Sequence, residues 1–410
     1  MSNDNKSVKA ESSFTNELLT LFKTNIRDYA MYIALVVIFI VFGISTKGLF
    51  LSPRNISDLI NQTGYIAVLA IGMTLILIIK HIDLSVGYVA GFLGAVAAIL
   101  MKNGMPGWAV IPIVLLIGIC IGLYQGTLVA KVGVPAFVTT LAGMFIFRGL
   151  LSLITRGTGT IIVKDEGFKA LSNGFIPDIR KILNALNIPV GGNFHILTII
   201  IGIVAVVLVI MNQIKERKNL IHYNFEVSSK SIFVAKLIFF TAIIMCVIWI
   251  LAGYKGIPWT AVIVFIVLFI YNFMLKKTKL GRYIYGIGGN AEAAELSGIN
   301  VKNITLFAFA SVSMLAALSG ILYTSRLASA TPQAGNGFEL DAIASSYIGG
   351  VSVNGGIGKV TNTIIGAFVI MSLTNGMNLL YVDVSYQYIV KGIIFILAVA
   401  FDVKTRNAGK

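Results

Sequence analysis

The feature that most constrains this chain is the recurrence of apolar runs of about 20 residues. Eleven can be marked, near 29–46, 63–79, 84–101, 108–129, 134–154, 194–213, 232–252, 258–275, 304–323, 360–381 and 386–402. As helices rising 1.5 Å per residue, runs of this kind match a hydrocarbon core of about 30 Å. With 57% hydrophobic and 12% charged residues in 410 positions, the chain has too little polar surface to coat a water-soluble body of its size. The runs predict an all-α polytopic membrane protein of about ten to twelve transmembrane helices. A shorter stretch, "LDAIASSYIGGVSV" (340–353), cannot span as a straight helix and contains Gly349-Gly350. It reads as a broken crossing or a re-entrant segment, which the bilayer tolerates only where protein or a water-filled cavity shields the backbone.

Orientation follows from the basic residues. If the N-terminus is inside and the chain alternates, 19 Lys and Arg fall in inner segments, 10 in outer ones and 3 within spans. That bias puts both termini in the cytoplasm, with "KERK" (215–218) and "KKTKLGR" (276–282) as the strongest inner markers. It also requires an even number of crossings, so the segment at 340–353 decides between ten and twelve. The net charge of +15 is thereby assigned to loop anchoring rather than to nucleic acid. The layout expected is a cytoplasmic tail (1–28), a membrane domain (29–403) and a short cytoplasmic tail (404–410). The domain carries an outer loop at 155–193, a basic inner loop at 214–231 and a further inner loop at 276–303. The first 28 residues show no signal-peptide pattern, so the first run reads as a retained span. Cys120 and Cys246 lie within apolar runs and offer neither a disulfide framework nor a metal spacing.

The inner loop holds "GGNAEAAELSGINV" (288–301), a polar interlude in a greasy chain. Asn290 can cap a helix start, Glu292 suits the positive end of the dipole, and Gly298 supplies a C-terminal stop. Ala291, Ala293, Ala294 and Leu296 between them are strong helix formers. The product is a helix of two turns, about 10 Å long, with Glu292 and Glu295 on one face and Leu296 beside them. From these residues alone it is either a solvated connector or a docking knob for a cytoplasmic partner.

Four stretches carry a family resemblance: "GYIAVLAIGMTLILIIKHIDLSVGYVAG" (64–91), "VGVPAFVTTLAGMFIFRGL" (132–150), "LGRYIYGIGGNAEAAELSGINV" (280–301) and "GGVSVNGGIGKVTNTIIGAFVIMSLTNGMNLL" (349–380). In this order they resemble the permease subunits of ATP-binding-cassette importers, and within those the ribose/xylose-type monosaccharide permeases. The chain is closest in character to the long xylose and multiple-sugar members. It departs from them at Lys80-His81, where the family commonly has two glycines before "IDLSVG". The region 160–255 is also longer than in compact ribose-type members.

The resemblance implies an importer permease that moves a monosaccharide delivered by an extracytoplasmic binding protein. Its location would be the inner or plasma membrane of a bacterium, with a second permease copy as partner and lipid around both. Residues Asn290, Glu292, Ala293, Ala294, Glu295, Leu296 and Gly298 would form the coupling helix that docks on a separate ATPase. ATP and magnesium would belong to that ATPase, and this chain would hold no cofactor of its own. The residues agree on that point: "GGIGKVT" (355–361) has Val360 where a phosphate-binding loop needs a hydroxyl after its lysine.

A neutral sugar needs hydrogen-bond partners and an aromatic face rather than a titrating group. The first half of the chain offers Asn61, Gln62, Gln125, Thr139 and Thr140 for its path. The second half offers Ser345, Ser346, Tyr347, Asn375 and Asn378. Each is equally helix–helix glue. Asp83 reads either as a contact for Lys80 or Arg148, or as an interfacial cap for the helix starting near Leu84, aided by Ser85. Arg148 pairs or snorkels; Lys236 and Lys391, near span ends, read as snorkelling. Gly72, Gly91, Gly94 and Gly366 read as close-packing points. The outer loop, with Lys164, Asp165, Glu166, Arg180 and Lys181, is a docking surface for the binding protein or an ordinary solvated loop. The basic inner loop meets anionic lipid or the ATPase.

Three rival classes remain. One is an importer permease of the same type for a nucleoside or sugar derivative. Another is a proton- or sodium-driven transporter, against which stands the concentration of acidic residues in loops and at span ends. The last is a membrane enzyme, for which the scattered His81, His195 and His222 supply no constellation.

Overall fold

The computed structural model describes residues 26–157, 159–180, 194–225, 227 and 229–407. Most of the N-terminal tail, together with Lys181, lies outside the described residues. The rest form fifteen helices and one two-stranded ladder. Caps and breakers set their limits. Helix α1 (Ile26–Ser45) is followed by a 3₁₀ turn, Leu49–Leu51, and by α2 (Pro53–Ile78). The Ser52 side chain accepts from the Asn55 N–H at 3.3 Å, and Pro53 fills the first turn, where its missing donor costs nothing. Helix α2 therefore starts ten residues before the apolar run at 63–79. Its opening turns carry Arg54, Asn55, Asp58 and Asn61, which conceal it in a hydrophobicity trace.

Helices α3 (Val86–Lys102), α4 (Gly107–Thr127) and α5 (Ala136–Thr155) follow, α4 ending in a π-helical turn, Leu128–Val132. Strand β1 (Ile161–Ile162) and α6 (Glu166–Asn173) fill part of the predicted outer loop, and β1 pairs antiparallel with β2 (Ser329–Ala330). Then come α7 (Ile196–His222), α8 (Lys230–Ala252), α9 (Trp259–Lys277), α10 (Lys279–Gly289), α11 (Ala291–Leu296) and α12 (Val301–Leu327). After β2 the chain ends with α13 (Phe338–Ile348), α14 (Val360–Leu379) and α15 (Val384–Asn407). Among the described residues eight helices are long and apolar enough to cross a membrane, and α1, α3 and α15 hold shorter apolar stretches. The protein is a multi-pass membrane protein.

Two compact units are distinguished. The smaller comprises the N-terminal residues through Ala30 and Asp178–Gly253. In it α7 and α8 pack as a hairpin, with Gly202 against Ile248 and the His195 N–H donating to the Ala252 carbonyl at 2.9 Å. The larger comprises Met31–Pro177 and Tyr254–Lys410. Its core is built on α2 and α12, and α12 packs on α2, α3 and α4. The best apolar window of α2 is 89% buried, so this helix is shielded by protein almost all round. Close approach is achieved by small residues, as lipid-embedded helices require. A Cβ on Gly320 would lie 2.0 Å from the Ala90 carbonyl, and one on Gly94 would lie 2.8 Å from the Gly320 carbonyl.

The short segment at 340–353 is a broken helical element. Helix α13 ends at Ile348, Gly350 takes a left-handed turn (φ +84°), and irregular chain runs on to Lys359. That chain reaches the C-terminal end of α2, where the Gly356 N–H donates to the Ile78 carbonyl at 2.8 Å. The end of the larger unit carrying α10 and α11 is called the peg end below, and the end carrying β1 and β2 the ladder end.

Candidate functional site

At the peg end, α11 has the expected cap. The Asn290 side chain accepts from the Ala293 N–H at 3.0 Å, and Gly298 sits at φ +83°, a conformation glycine adopts at no steric cost. Ala294 is buried, whereas Glu292 and Glu295 face outward and Leu296 is 90% exposed. The peg therefore presents two carboxylates and a large apolar side chain that are left exposed by the described residues.

Its mount is the Ile78 carbonyl. A Cβ on Gly288, the penultimate residue of α10, would lie 2.0 Å from that oxygen. The same oxygen accepts from Gly356, and the Tyr285 hydroxyl donates to the Gly358 carbonyl at 2.6 Å. One backbone point thus joins α2, α10 and the chain leading into α14. Lys80 stands beside it at φ +65°, where a non-glycine residue costs about 1 kcal/mol. Its ammonium donates to the Gly289 carbonyl at 3.1 Å, which ties the end of α2 to the peg. The lysine thus keeps a backbone turn natural to glycine and adds a bond that glycine lacks.

Asp83 does not pair with Lys80 or Arg148. It is fully buried in the turn before α3, and its Oδ1 accepts from the backbone N–H and the hydroxyl of Ser85 at 2.9 and 2.7 Å. It thus orders the entry to α3, as a capping carboxylate would, but inside the protein. Arg148 lies 5.7 Å from the centre of the Tyr88 ring, and Lys236 lies 5.9 Å from that of Phe240.

The ten polar residues proposed for a path are dispersed. Asn375 donates to Gln62 at 3.2 Å and accepts from Asn55 at 3.0 Å, a lock between α14 and α2. The Gln125 amide donates to the Ser85 hydroxyl at 2.9 Å, and the Thr140 hydroxyl reaches the Ile82 carbonyl at 3.3 Å. Ser345 and Ser346 bond back to their own helix, and Ser346 also meets Ala70 and Thr74. Asn61 and Thr139 are buried with side-chain oxygens that meet no protein donor. Tyr347 packs on Phe395. Asn378 accepts from Gln387 at 2.8 Å and is the one member of the set that lines a cavity near the ladder end.

That cavity, about 390 Å³, lies between α2, α13, α14 and α15. Tyr65 and Phe338 line one side with ring centroids 5.0 Å apart. Across from them Lys391 holds both carboxylate oxygens of Asp341 at 3.0 Å. Lys391 is therefore ion-paired rather than snorkelling, because α13 brings a carboxylate to it from 50 positions away. Asp83, in the turn between α2 and α3, and Glu339, in the first turn of α13, keep to loops and helix ends as the sequence reading has it, but both are buried inside the unit. Sequence reasoning gave Glu339 and Asp341 no role. The available signal was "FELD" (338–341), two carboxylates directly ahead of an apolar segment.

On the far side of the ladder, Asp165 caps α6. Its carboxylate accepts from the Phe168 N–H at 2.7 Å and from the Gly107 N–H, at the start of α4, at 3.0 Å. These backbone donors, Phe168 first, hold its carboxyl below the ordinary carboxylate range. Lys164 and Glu166 are exposed, with Glu166 paired to Lys169, while in the smaller unit Arg180 lies 3.7 Å from Asp178. Among the described residues no group of three His, Cys, Asp or Glu could hold a metal.

Comparison with known proteins bears on these features. Residues 55–399 match a family described as "Branched-chain amino acid transport system / permease component". The xylose transport system permease protein XylH of Haemophilus influenzae is 38% identical over 391 residues, covering 95% of this chain and all of that protein. XylH of Escherichia coli K12 is 37% identical over 384 residues, 93% of each chain. The ribose import permease protein RbsC of Haemophilus influenzae is 34% identical over 374 residues, 90% of this chain and 91% of that protein. No solved structure matches. A bundle of packed crossings with an exposed peg at one end, matched along nearly its whole length, makes this chain a member of the permease-component family of branched-chain amino acid transport systems.

Proposed function

We propose that the chain is the membrane permease subunit of an ATP-driven importer that carries a monosaccharide of the xylose or ribose kind. The observation that carries the reading is the peg: a capped helix with an exposed acidic and apolar face, welded through one carbonyl to the most buried helix of the bundle. The near full-length similarity to xylose and ribose permeases supports the cargo class. In this reading α11 docks on an ATP-binding-cassette subunit in the cytoplasm, where ATP and magnesium are used, and this chain makes and breaks no covalent bond. The peg end faces the cytoplasm, as do both termini, in keeping with the clustering of basic residues at 215–218 and 276–282. The ladder end receives an extracytoplasmic sugar-binding protein, a second copy of the permease completes the path, and the bacterial inner or plasma membrane surrounds both.

The docking face works by shape and charge. Glu292 and Glu295 select a basic groove, and Leu296 supplies apolar area that water disfavours. Movement of the groove turns α10 about the Ile78 carbonyl and so reaches α2 and α14. The test is uptake of labelled D-xylose and D-ribose by cells with and without this chain, in the presence of its companion subunits. Uptake that stops on ATP depletion and survives an uncoupler supports the reading. Uptake that survives ATP depletion and collapses with an uncoupler sinks it in favour of ion-driven transport.

A further inference from the structure

The cavity near the ladder end has a composition that the fold alone does not require. Two of its lining aromatics, Tyr65 and Phe338, are almost fully buried in the protein yet turn part of their surface to the space. Facing them are polar groups whose hydrogen-bonding capacity is only partly used. Lys391 has three N–H donors and directs two bonds to Asp341. Gln387 donates to Asn378 and to the Val382 carbonyl through its amide nitrogen, which leaves its amide oxygen available. Asn378 accepts with its oxygen, which leaves its NH₂ available. The Thr374 hydroxyl donates to Ile370 at 3.1 Å and can still accept. The lining thus combines donors and acceptors from α13, α14 and α15 with aromatic rings from α2, α13 and α15.

The charges in the cavity cancel. Asp341 and Lys391 neutralise one another at contact distance, so an ionic ligand would enter as an unpaired charge in a poorly hydrated space. A neutral ligand bearing several hydroxyls has no such cost. Its hydroxyls can meet the ammonium, the two amides and the threonine, and its C–H face can lie on an aromatic ring. The volume of about 390 Å³ falls within the usual range for small-molecule sites.

We propose that this cavity is a binding subsite for a neutral monosaccharide, with Lys391, Asn378, Gln387 and Thr374 as hydroxyl partners and Tyr65 and Phe338 as the stacking face. The proposal rests on the permease reading and deepens it by locating where the cargo pauses. Three of the four hydroxyl partners lay outside the polar set that the sequence suggested, because their relation is made by the meeting of α13, α14 and α15.

The test uses thiol protection in cells carrying the assembled transporter. Cys120 and Cys246 are both exposed on their helices and are first replaced by serine. Thr374→Cys then places a thiol in the cavity, and Ser385→Cys serves as a control on the neighbouring helix outside it. Labelling by N-ethylmaleimide is followed with and without D-xylose, D-ribose or the acid D-xylonate. At a sugar concentration four times its dissociation constant, labelling at position 374 should slow about fivefold, since it scales with the unoccupied fraction. Position 385 should be unaffected, and D-xylonate should protect neither. Normal uptake without sugar protection at position 374 overturns the subsite while leaving the permease reading intact. Equal protection by D-xylonate overturns the neutral-ligand argument. Absence of uptake of any sugar by the parent chain overturns the permease reading and the subsite with it.

Discussion

Gly288→Ala isolates the joint between peg and bundle, and Gly289→Ala is its built-in control. The new Cβ at 288 would lie 2.0 Å from the Ile78 carbonyl oxygen and 2.6 Å from the Gly356 nitrogen. An ordinary carbon–oxygen contact is about 3.3 Å, so the backbones must part by about 1.3 Å. That displacement breaks the Gly356-to-Ile78 hydrogen bond, now 2.8 Å long, at a cost of about 1 kcal/mol. Forced overpacking adds about 2 kcal/mol. Alanine is the better helix former and returns about 1 kcal/mol. The net loss is about 2 kcal/mol. At Gly289 a Cβ meets nothing within 4 Å, so the same substitution should be neutral or slightly stabilising. Thermal unfolding of each purified variant in one detergent should show Gly288→Ala lowered by a few degrees and Gly289→Ala unchanged. Uptake per folded molecule should fall for Gly288→Ala while association with the ATPase persists, because the docking face of α11 is untouched. Equal unfolding midpoints for the two variants would refute the contact geometry, and full uptake by a destabilised Gly288→Ala would refute the joint as the transmitting element.

Glu292→Lys reverses a charge on the exposed face of the peg and should abolish both co-purification with the ATPase and uptake, with an unchanged unfolding midpoint; retained co-purification with normal uptake excludes the docking role. Lys391→Met leaves the Asp341 carboxylate without its partner and should destabilise the chain by about 3 kcal/mol, whereas Lys391→Met with Asp341→Asn should recover much of it in a double-mutant cycle; equal losses would show that the pair is uncoupled. Asp165→Asn keeps an oxygen for the α6 cap but loses the second acceptor, which holds the Gly107 N–H, and should cost about 1 kcal/mol. The pH dependence at Asp165 has a defined sign. Its folded carboxyl titrates below the ordinary value of 3.8, so the unfolded chain binds the proton first. The contribution is therefore complete above that value and is lost as pH falls through the lower folded one. Limited proteolysis of the ladder end should accelerate on acidification below about pH 4 in the parent chain more than in Asp165→Asn.

The parts of this architecture that depend on local chemistry were legible in the sequence. Asn290 and Gly298 bound the peg because a cap and a left-handed stop need only their own neighbours. The apolar runs located the crossings for the same reason, since transfer into lipid is decided residue by residue. What escaped was set by contacts between distant segments. Lys391 near a helix end has the pattern of a snorkelling lysine, and only the approach of α13 supplies Asp341. Glycines at 288 and 356 look like loop punctuation, and only the fold brings both to the Ile78 carbonyl. Lys80 looked like a departure from a glycine pair, yet its backbone keeps the glycine-like turn and its side chain reaches across to Gly289. The polar start of α2 was hidden because Asn55, Asn61 and Gln62 face other helices rather than lipid.

The two candidate sites are connected by continuous structure, and that connection gives the proposed mechanism its physical content. Ile78, at the joint with the peg, and Tyr65, in the cavity wall, lie on the same helix 13 residues apart, about 20 Å along a buried rod. From the same joint, Gly356 leads through irregular chain into α14, whose Ile370, Met371, Thr374 and Asn378 line the cavity. A tilt of α10 imposed at the peg therefore acts on two walls of one space. α2 is a stiff lever because protein encloses it, while the stretch from Gly349 to Lys359 can change its dihedrals without breaking a helix. The lock between Asn375, Gln62 and Asn55 joins those walls nearer the ladder end, and the Thr74–Thr363 hydrogen bond at 2.8 Å joins them nearer the joint. Cavity opening thus requires either that both locks move together or that one gives way. The lock beside the joint consists of one hydroxyl pair, and the other of two hydrogen bonds between side-chain amides. Force applied at the peg reaches the hydroxyl pair first, so the order of events under the proposed function is loosening of the peg end before the ladder end.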